Sequence, residues 1–308
     1  MELAIFINSA GPNVNLKNVE DTLFSITKNL GTKDYGIYYA VDSITNETKI
    51  YDIVKRLNLD NNLLKFAPSN ESWAYNFNKF FDEYSDKTEY FLYSHDDLEV
   101  KTENFFTKAK EKIKNLDEKI GWVTFTSDGY YSQFGSIISN SVREGFCIDR
   151  FKYPLLFECH KFEYGEKFTY EKIDLPSEPV KCHAPFPHFV MISNDSLKKI
   201  GYCSDWSLYT LLIDEDWGME ALRKNYNNVW IPDIVYTHPL RPQERKTQGV
   251  RFQAEVHRKF YEKWGWNFDL GNYSDQYIEY ICERLKDTNL SLTKEKYTFD
   301  WQYLRKKQ

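Results

Sequence analysis

Tyr90-Phe91-Leu92-Tyr93-Ser94-His95-Asp96-Asp97 is the stretch on which the reading of this chain turns. Its first four residues are a short apolar run suited to a buried strand, and the run breaks into a histidine and two adjacent acids. A strand of this kind needs cover on both faces, and the flanking sequence supplies it. Upstream, 3–7, 35–41 and 63–66 are further strand-like runs. Between them Val19, Leu23, Ile26 and Leu30 recur at helical spacing, with Gly31 as the stop, and Ile50, Ile53, Val54 and Leu57 repeat the pattern. Trp73, Phe77, Phe80, Phe81 and Tyr84 form the stripe of a third buried helix, with Asn70 or Ser72 placed to cap it. Downstream, Phe105, Ala109, Ile113, Leu116 and Ile120 predict a fourth helix and 121–125 a fifth strand. Strict alternation of strand and helix predicts an α/β fold: a parallel sheet with helices on both faces. Ligands then bind beyond the carboxyl ends of the strands. Three of those ends are polar, at Asn8-Ser9, Asp42 and Asp96-Asp97.

Farther along, 189–193 reads as a strand and 195–200 as a capped short helix closed by Gly201. Asp214-Glu215-Asp216 opens a helix whose apolar face includes Trp217, Ala221 and Leu222, and 229–236 is a strand ending at His238. Residues 130–180 are irregular. After Pro242 a polar loop carries Arg241, Arg245, Lys246 and Arg251 around its start, and helices are expected over 252–264 and 275–286. The expected organisation is one domain in two halves, 1–126 and 127–240, with 241–308 as basic loop and C-terminal helices.

Composition narrows the function classes. Forty basic against 46 acidic residues give a net charge of −6, which argues against broad binding to a nucleic-acid backbone. The 22 Phe, 23 Tyr and 8 Trp make up for a low aliphatic content, and a chain of 308 residues so equipped buries a sizeable core. Five cysteines are an odd number, and a reducing cytoplasm suits them better than a disulfide framework. The chain starts on a strand with no basic leader, and no apolar stretch approaches the roughly 18 residues of a membrane span. Cytoplasmic localisation is expected, with peripheral association at the inner membrane face as the remaining membrane role. The sequence has no GxGxxG, P-loop or GxSxG pattern, which disfavours dinucleotide oxidoreductases, P-loop NTPases and α/β-hydrolases. Cys159-His160 and Cys182-His183 lack the spacing of a structural zinc site.

Adjacent carboxylates after a strand repel unless a cation or hydrogen bonds compensate them. A divalent ion bridging to ligand phosphates does so, and Mg²⁺ and Mn²⁺ prefer oxygen donors; a polar turn is the plainer explanation. Asp42 is placed to accept a hydrogen bond from a base or ribose, or to cap a helix. Three acids at the start of the 214–222 helix suit its dipole. They also suit a general base, with Trp217 as a wall against which a sugar packs.

Taken together, these strand ends resemble the family 2 glycosyltransferases of the GT-A fold. Asn8-Ser9 is similar to the family's opening nucleotide-binding loop, and Asp42 to its base-contacting carboxylate. The segment from Asn70 through Ala74 to Asn76 is similar to N-x-G-x-x-x-A-x-N without its glycine, and His95-Asp96-Asp97 is similar to the DxD strand end. Glu215-Asp216 through Arg223 resembles the E-D-x-D-x-x-x-R element, and His238 a histidine after the next strand. The resemblance implies a Rossmann-like, mixed and mainly parallel sheet with a C-terminal helical extension. It implies transfer of a sugar from a nucleoside diphosphate sugar, UDP above other nucleotides, to a carbohydrate or lipid-linked hydroxyl in glycan or polysaccharide assembly. Asp97, His238 and Asp96 would hold Mn²⁺ or Mg²⁺, with Asp97 favoured and Asp96 turned to the ribose or the metal. Asn8, Ser9, Asp42, Asn70, Asn76, Asp96, Trp217 and Arg251 would bind the nucleotide sugar, and Asp216, beside Glu215, would be the base of an inverting displacement. Two rival readings stand beside it. A sugar-1-phosphate nucleotidyltransferase is disfavoured because 8–13 has one Gly and no basic residue. The other is a carbohydrate-binding protein with a decayed site.

Overall fold

The computed structural model describes residues 1–9, 14–41, 44–68, 73–116, 118–127, 178–182, 185, 188–204, 213–237, 256, 258–260 and 262–264. Its strands are β1 (Leu3–Ser9), β2 (Tyr35–Val41), β3 (Leu63–Pro68), β4 (Tyr90–His95), β5 (Glu99–Val100), β6 (Ile120–Ser127), β7 (Val180–Cys182), β8 (Phe189–Ser193) and β9 (Asn227–Thr237). The helices are α1 (Leu16–Asn29), α2 (Ile44–Arg56), α3 (Trp73–Tyr84), α4 (Phe105–Lys114), α5 (Asn194–Ile200) and α6 (Ile213–Arg223). The strands form one sheet in the order β3-β2-β1-β4-β8-β6-β9-β5, with β7 on β9.

The alternation read from the sequence builds the first half as expected: β1, β2, β3 and β4 are mutually parallel where they pair. The second half departs from an all-parallel sheet. β8 inserts antiparallel between β4 and β6, although β6 and β9 are parallel. This sheet is therefore mixed, and the start of β8 lies beside the carboxyl end of β4, with Phe189 opposite Ser94.

Two apolar layers sandwich the sheet. On one face Val19, Leu23 and Ile26 of α1, Ile50 and Val54 of α2, and Phe105, Phe106 and Ala109 of α4 pack on Leu3, Ile5, Tyr39 and Leu92. On the other, Phe77, Phe80 and Phe81 of α3 join Leu197 of α5 and Trp217 of α6 over Phe6, Tyr38 and Phe91. The aromatic surplus thus becomes a contact network, including Phe6 stacked on Phe80 at 5.3 Å and in edge contact with Phe77 at 5.7 Å.

Local chemistry sets the boundaries. Asn15 caps α1, its Oδ1 accepting from the Lys17 and Asn18 amides. Gly31 ends the same region at φ +86°, where any Cβ would also meet Thr107 Oγ1 at 2.7 Å. α4 stops at Lys114, earlier than its stripe predicts, and Ile120 opens β6 instead of closing a helix. Leu116 and Ile120 still pack against the same apolar layer.

Candidate active site

The carboxyl ends of β1 and β4 lie side by side, with Asn8 in register with His95. That pairing brings together five of the sequence-predicted residues. Ser9, fully buried, donates to Asp96 Oδ2 at 2.6 Å, and its oxygen lies 2.7 Å from the Tyr39 hydroxyl. Asn76, on the first turn of α3, donates to Asn8 Oδ1 at 3.1 Å. Asp96 and Asp97 are each 8% exposed, so both are largely withdrawn from bulk water. His95 Nδ1 lies 3.8 Å from Asp97 Oδ1, and the His95 ring packs against His188 at 4.6 Å between centroids. The His95 amide donates to the His188 carbonyl at 3.0 Å, which fixes the β8 start against the acids.

The segment after the acids is held from below by α1. Thr22 Oγ1 donates to the Leu98 carbonyl at 2.6 Å and accepts from the Leu98 amide at 3.0 Å. The Val100 amide donates to Ser25 Oγ at 3.0 Å, and Asn29 Nδ2 donates to the Val100 carbonyl at 2.8 Å. Buried polar groups are stable only with such partners, and here the partners lock the backbone leaving Asp97.

A divalent ion is the group the sequence implies here. Among the described residues no three His, Cys, Asp or Glu side chains converge on a metal position. Mg²⁺ and Mn²⁺ are commonly held by one or two carboxylates together with the phosphates of a substrate. Two nearly buried adjacent acids, of which Asp96 is compensated by Ser9, fit that mode of binding. They do not form a closed protein-only cage.

A second cluster surrounds Asp216. Gly121 of β6 lets α6 approach closely: a Cβ there would meet Asn228 Oδ1 at 2.9 Å and Ala221 Cβ at 3.0 Å. The Asp216 carboxylate is 2% exposed. Its Oδ2 accepts from Ser204 Oγ at 2.7 Å, and its Oδ1 accepts from Lys263 Nζ at 2.6 Å and Trp264 Nε1 at 2.9 Å. Lys263 also pairs with Glu220 at 2.8 Å, and Arg223 donates twice to Glu220. Burial pushes the Glu220 carboxyl up, but the ammonium and guanidinium together outweigh it and hold it below the usual carboxylate value. Among the described residues, none of the hydrogen bonds of Asp216 reaches the β1–β4 cluster.

Trp217 is corrected by the structure. It does not wall a sugar cleft: its ring stacks on Trp122 at 4.1 Å with a 7° interplanar angle, and it is 3% exposed. Its Nε1 donates to Cys203 Sγ at 2.6 Å, while burial pushes the Cys203 thiol well up. Trp217→Ala is expected to lower the free energy of unfolding by about 3–5 kcal/mol, as for other buried aromatics. Urea denaturation checks this, and an unchanged midpoint would mean that the ring is not core.

Asp42, Asn70, His238 and Arg251 lie outside the described residues, as do Arg241, Arg245 and Lys246. Of Glu215 only the helical backbone is described. The strand-like 134–139, the Cys159-His160 and His183 positions and the 275–286 helix also fall outside. Sequence reasoning missed Tyr39, His188, Ser204, Lys263 and Trp264. The apolar run of β2 concealed Tyr39 as another core residue. The other four are joined to the clusters only by the fold.

No protein-family model and no curated protein matches the sequence. Solved structures do match in three dimensions. A crystal structure of GalNAc-T7 with UDP, GalNAc and Mn²⁺ superposes with a TM-score of 0.61 at 14% identity, covering 98% of this chain and 54% of that one. The mannosyltransferase PcManGT from Pyrobaculum calidifontis, in complex with GDP-Man and Mn²⁺, gives 0.55 at 10% identity over 94% of this chain and 70% of that one. S. aureus TarS residues 1–349 give 0.53 at 12% identity over 96% and 76%. The chain spans about half the length of GalNAc-T7. These likenesses establish the GT-A fold for this chain.

Proposed function

We propose that the chain is a family 2-like glycosyltransferase that moves a sugar from a nucleoside diphosphate sugar to a hydroxyl, with inversion at the anomeric carbon. The observation that carries this reading is the meeting of Asn8, Ser9, Asn76, Asp96 and Asp97 at the carboxyl ends of β1 and β4, where α/β sheets bind ligands. Residues 1–126 would hold the donor and 127–240 the acceptor, with 241–308 as a C-terminal extension. UDP is the favoured nucleotide, as bound in GalNAc-T7, and GDP, as in PcManGT, is the second.

Asn8 would line the nucleotide cleft, Ser9, fully buried, would act from behind it by holding Asp96, and Asp42 would accept from the base. Asp97, with Asp96 and His238, would hold Mn²⁺ or Mg²⁺ on the diphosphate. Such an ion, when bound, neutralises charge on the leaving group. Asp216, with Glu215 beside it, would take the proton of the acceptor hydroxyl, and one base with no covalent intermediate gives inversion. Arg251, with Arg241, Arg245 and Lys246, would offer positive charge to the diphosphate. Glycan or polysaccharide assembly is the setting this chemistry suits. No helix among the described residues is long and apolar enough to cross a membrane, and peripheral attachment to the inner membrane face would bring a lipid-linked acceptor to the site.

A thermal-shift panel of UDP-, GDP- and dTDP-sugars, with and without Mn²⁺, tests the reading. Ligand at about 100 times its Kd stabilises by roughly 2.7 kcal/mol, so one nucleotide class should raise Tm by several degrees only with the metal. No response to any member would favour a carbohydrate-binding protein without transfer activity.

A further inference from the structure

We propose that His95 is a nitrogen ligand of the divalent ion at the end of β4, paired with Asp97, and that it makes the site favour Mn²⁺ and the later first-row ions over Mg²⁺. The inference rests on the metal-bearing donor site read above and narrows its choice of ion. Three consecutive side chains diverge at this strand end. Asp96 turns to β1, where its Oδ2 receives the Ser9 hydroxyl at 2.6 Å. His95 and Asp97, on either side of it, turn to each other, with His95 Nδ1 3.8 Å from Asp97 Oδ1. That separation is too long for a hydrogen bond between the two. It suits a shared ion, because two donors each about 2.1 Å from one metal lie at most about 4.2 Å apart.

The imidazole is set in place by its neighbours. Its ring packs against His188 at 4.6 Å and meets Tyr93 edge-on at 5.6 Å. Its amide donates to the His188 carbonyl at 3.0 Å, and its backbone stands opposite Asn8 of β1. The His95 side chain is 18% exposed and that of Asp97 9%, so the pair is enclosed but not sealed from solvent. Contacts that orient a ligand in this way are part of how a protein tunes a metal site. The donor type then decides the ion. Mg²⁺ demands oxygen donors in near-ideal octahedral geometry and sheds water reluctantly. The affinity of a nitrogen-bearing site instead rises along the first row from Mn²⁺ through Co²⁺ and Ni²⁺. One imidazole and one carboxylate leave the remaining positions to diphosphate oxygens and water, so the site needs no third protein ligand.

The test uses the full chain with UDP and needs no turnover. At about pH 8, where an ordinary imidazole is neutral, Mn²⁺ and Mg²⁺ are titrated calorimetrically into the wild type, His95→Asp and His95→Gln. The bound Mn²⁺ is then examined by electron spin-echo spectroscopy for coupling to ¹⁴N. The wild type should show nitrogen coupling that both variants lose or weaken. His95→Asp, which offers oxygen in place of nitrogen, should lower the ratio of Mn²⁺ to Mg²⁺ affinity by about tenfold, equivalent to about 1.4 kcal/mol. His95→Gln adds no third acid to the pair and carries the test if the Asp variant fails to fold. A wild type without nitrogen coupling, a coupling that persists undiminished in His95→Gln, or an affinity ratio that does not move in His95→Asp each overturns ligation by His95 alone. A wild type that binds neither ion in the presence of UDP overturns the metal reading of the donor site, and the role of His95 with it.

Discussion

Replacing Asp97 by Ala is expected to abolish Mn²⁺-dependent binding of nucleotide: a calorimetric titration of UDP that saturates in the wild type should weaken at least about a hundredfold, or about 2.8 kcal/mol at 1.4 kcal/mol per tenfold. Asp96 accepts from buried Ser9, and Asp97, beside His95 at 3.8 Å, is the acid of the pair to replace first. Two adjacent carboxylates at 8% exposure repel each other, and removing one trades that repulsion against the contact of Asp97 with His95, so the unliganded Tm should move far less than the nucleotide affinity. That pattern, binding lost with stability kept, separates a metal-holding acid from a structural one. A titration indistinguishable from wild type would remove Asp97 from the donor site.

The second large effect is expected at Asp216. Asp216→Asn should bind donor normally yet release nucleoside diphosphate about 10²–10⁴-fold more slowly, the usual contribution of a general base. Asn keeps an oxygen for Lys263 and Trp264, and Ser204 can turn to accept from the new amide, so the network survives at a cost of about 1–3 kcal/mol. The urea midpoint measures that cost separately from turnover. Normal turnover in this variant would place the base elsewhere, with Glu215 the next to replace.

The first half of the fold was legible because its signals are local. Strand runs, helical stripes and stop residues lie within a dozen positions of one another, and β2 and α3 were expected with the bounds they have. The insertion of β8 was not legible: nothing in Phe189–Ser193 specifies a direction, which is set by pairing with β4 and β6 across long stretches of chain. The overlong α4 has a different cause. Ile113, Leu116 and Ile120 keep helical spacing, but a tight turn, with the Leu116 amide donating to the Ile113 carbonyl, lets them reach the same apolar layer without a helix. Trp217 was misjudged because a tryptophan beside acids looks the same in sequence whether it faces a ligand or a core. The Asp216 partners lie 12, 47 and 48 positions away with no period linking them, so only tertiary structure joins them.

The grip of Thr22, Ser25 and Asn29 on Leu98 and Val100 has a consequence for how the acid pair at the end of β4 behaves. The backbone on both sides of the acid pair is fixed when the chain folds, by β4 before it and by α1 after it. The conformational entropy of ordering Asp96 and Asp97 is therefore surrendered at folding and not again on each encounter with ligand. The acids wait in one arrangement, and binding there should be governed by charge and desolvation with little rearrangement of the protein.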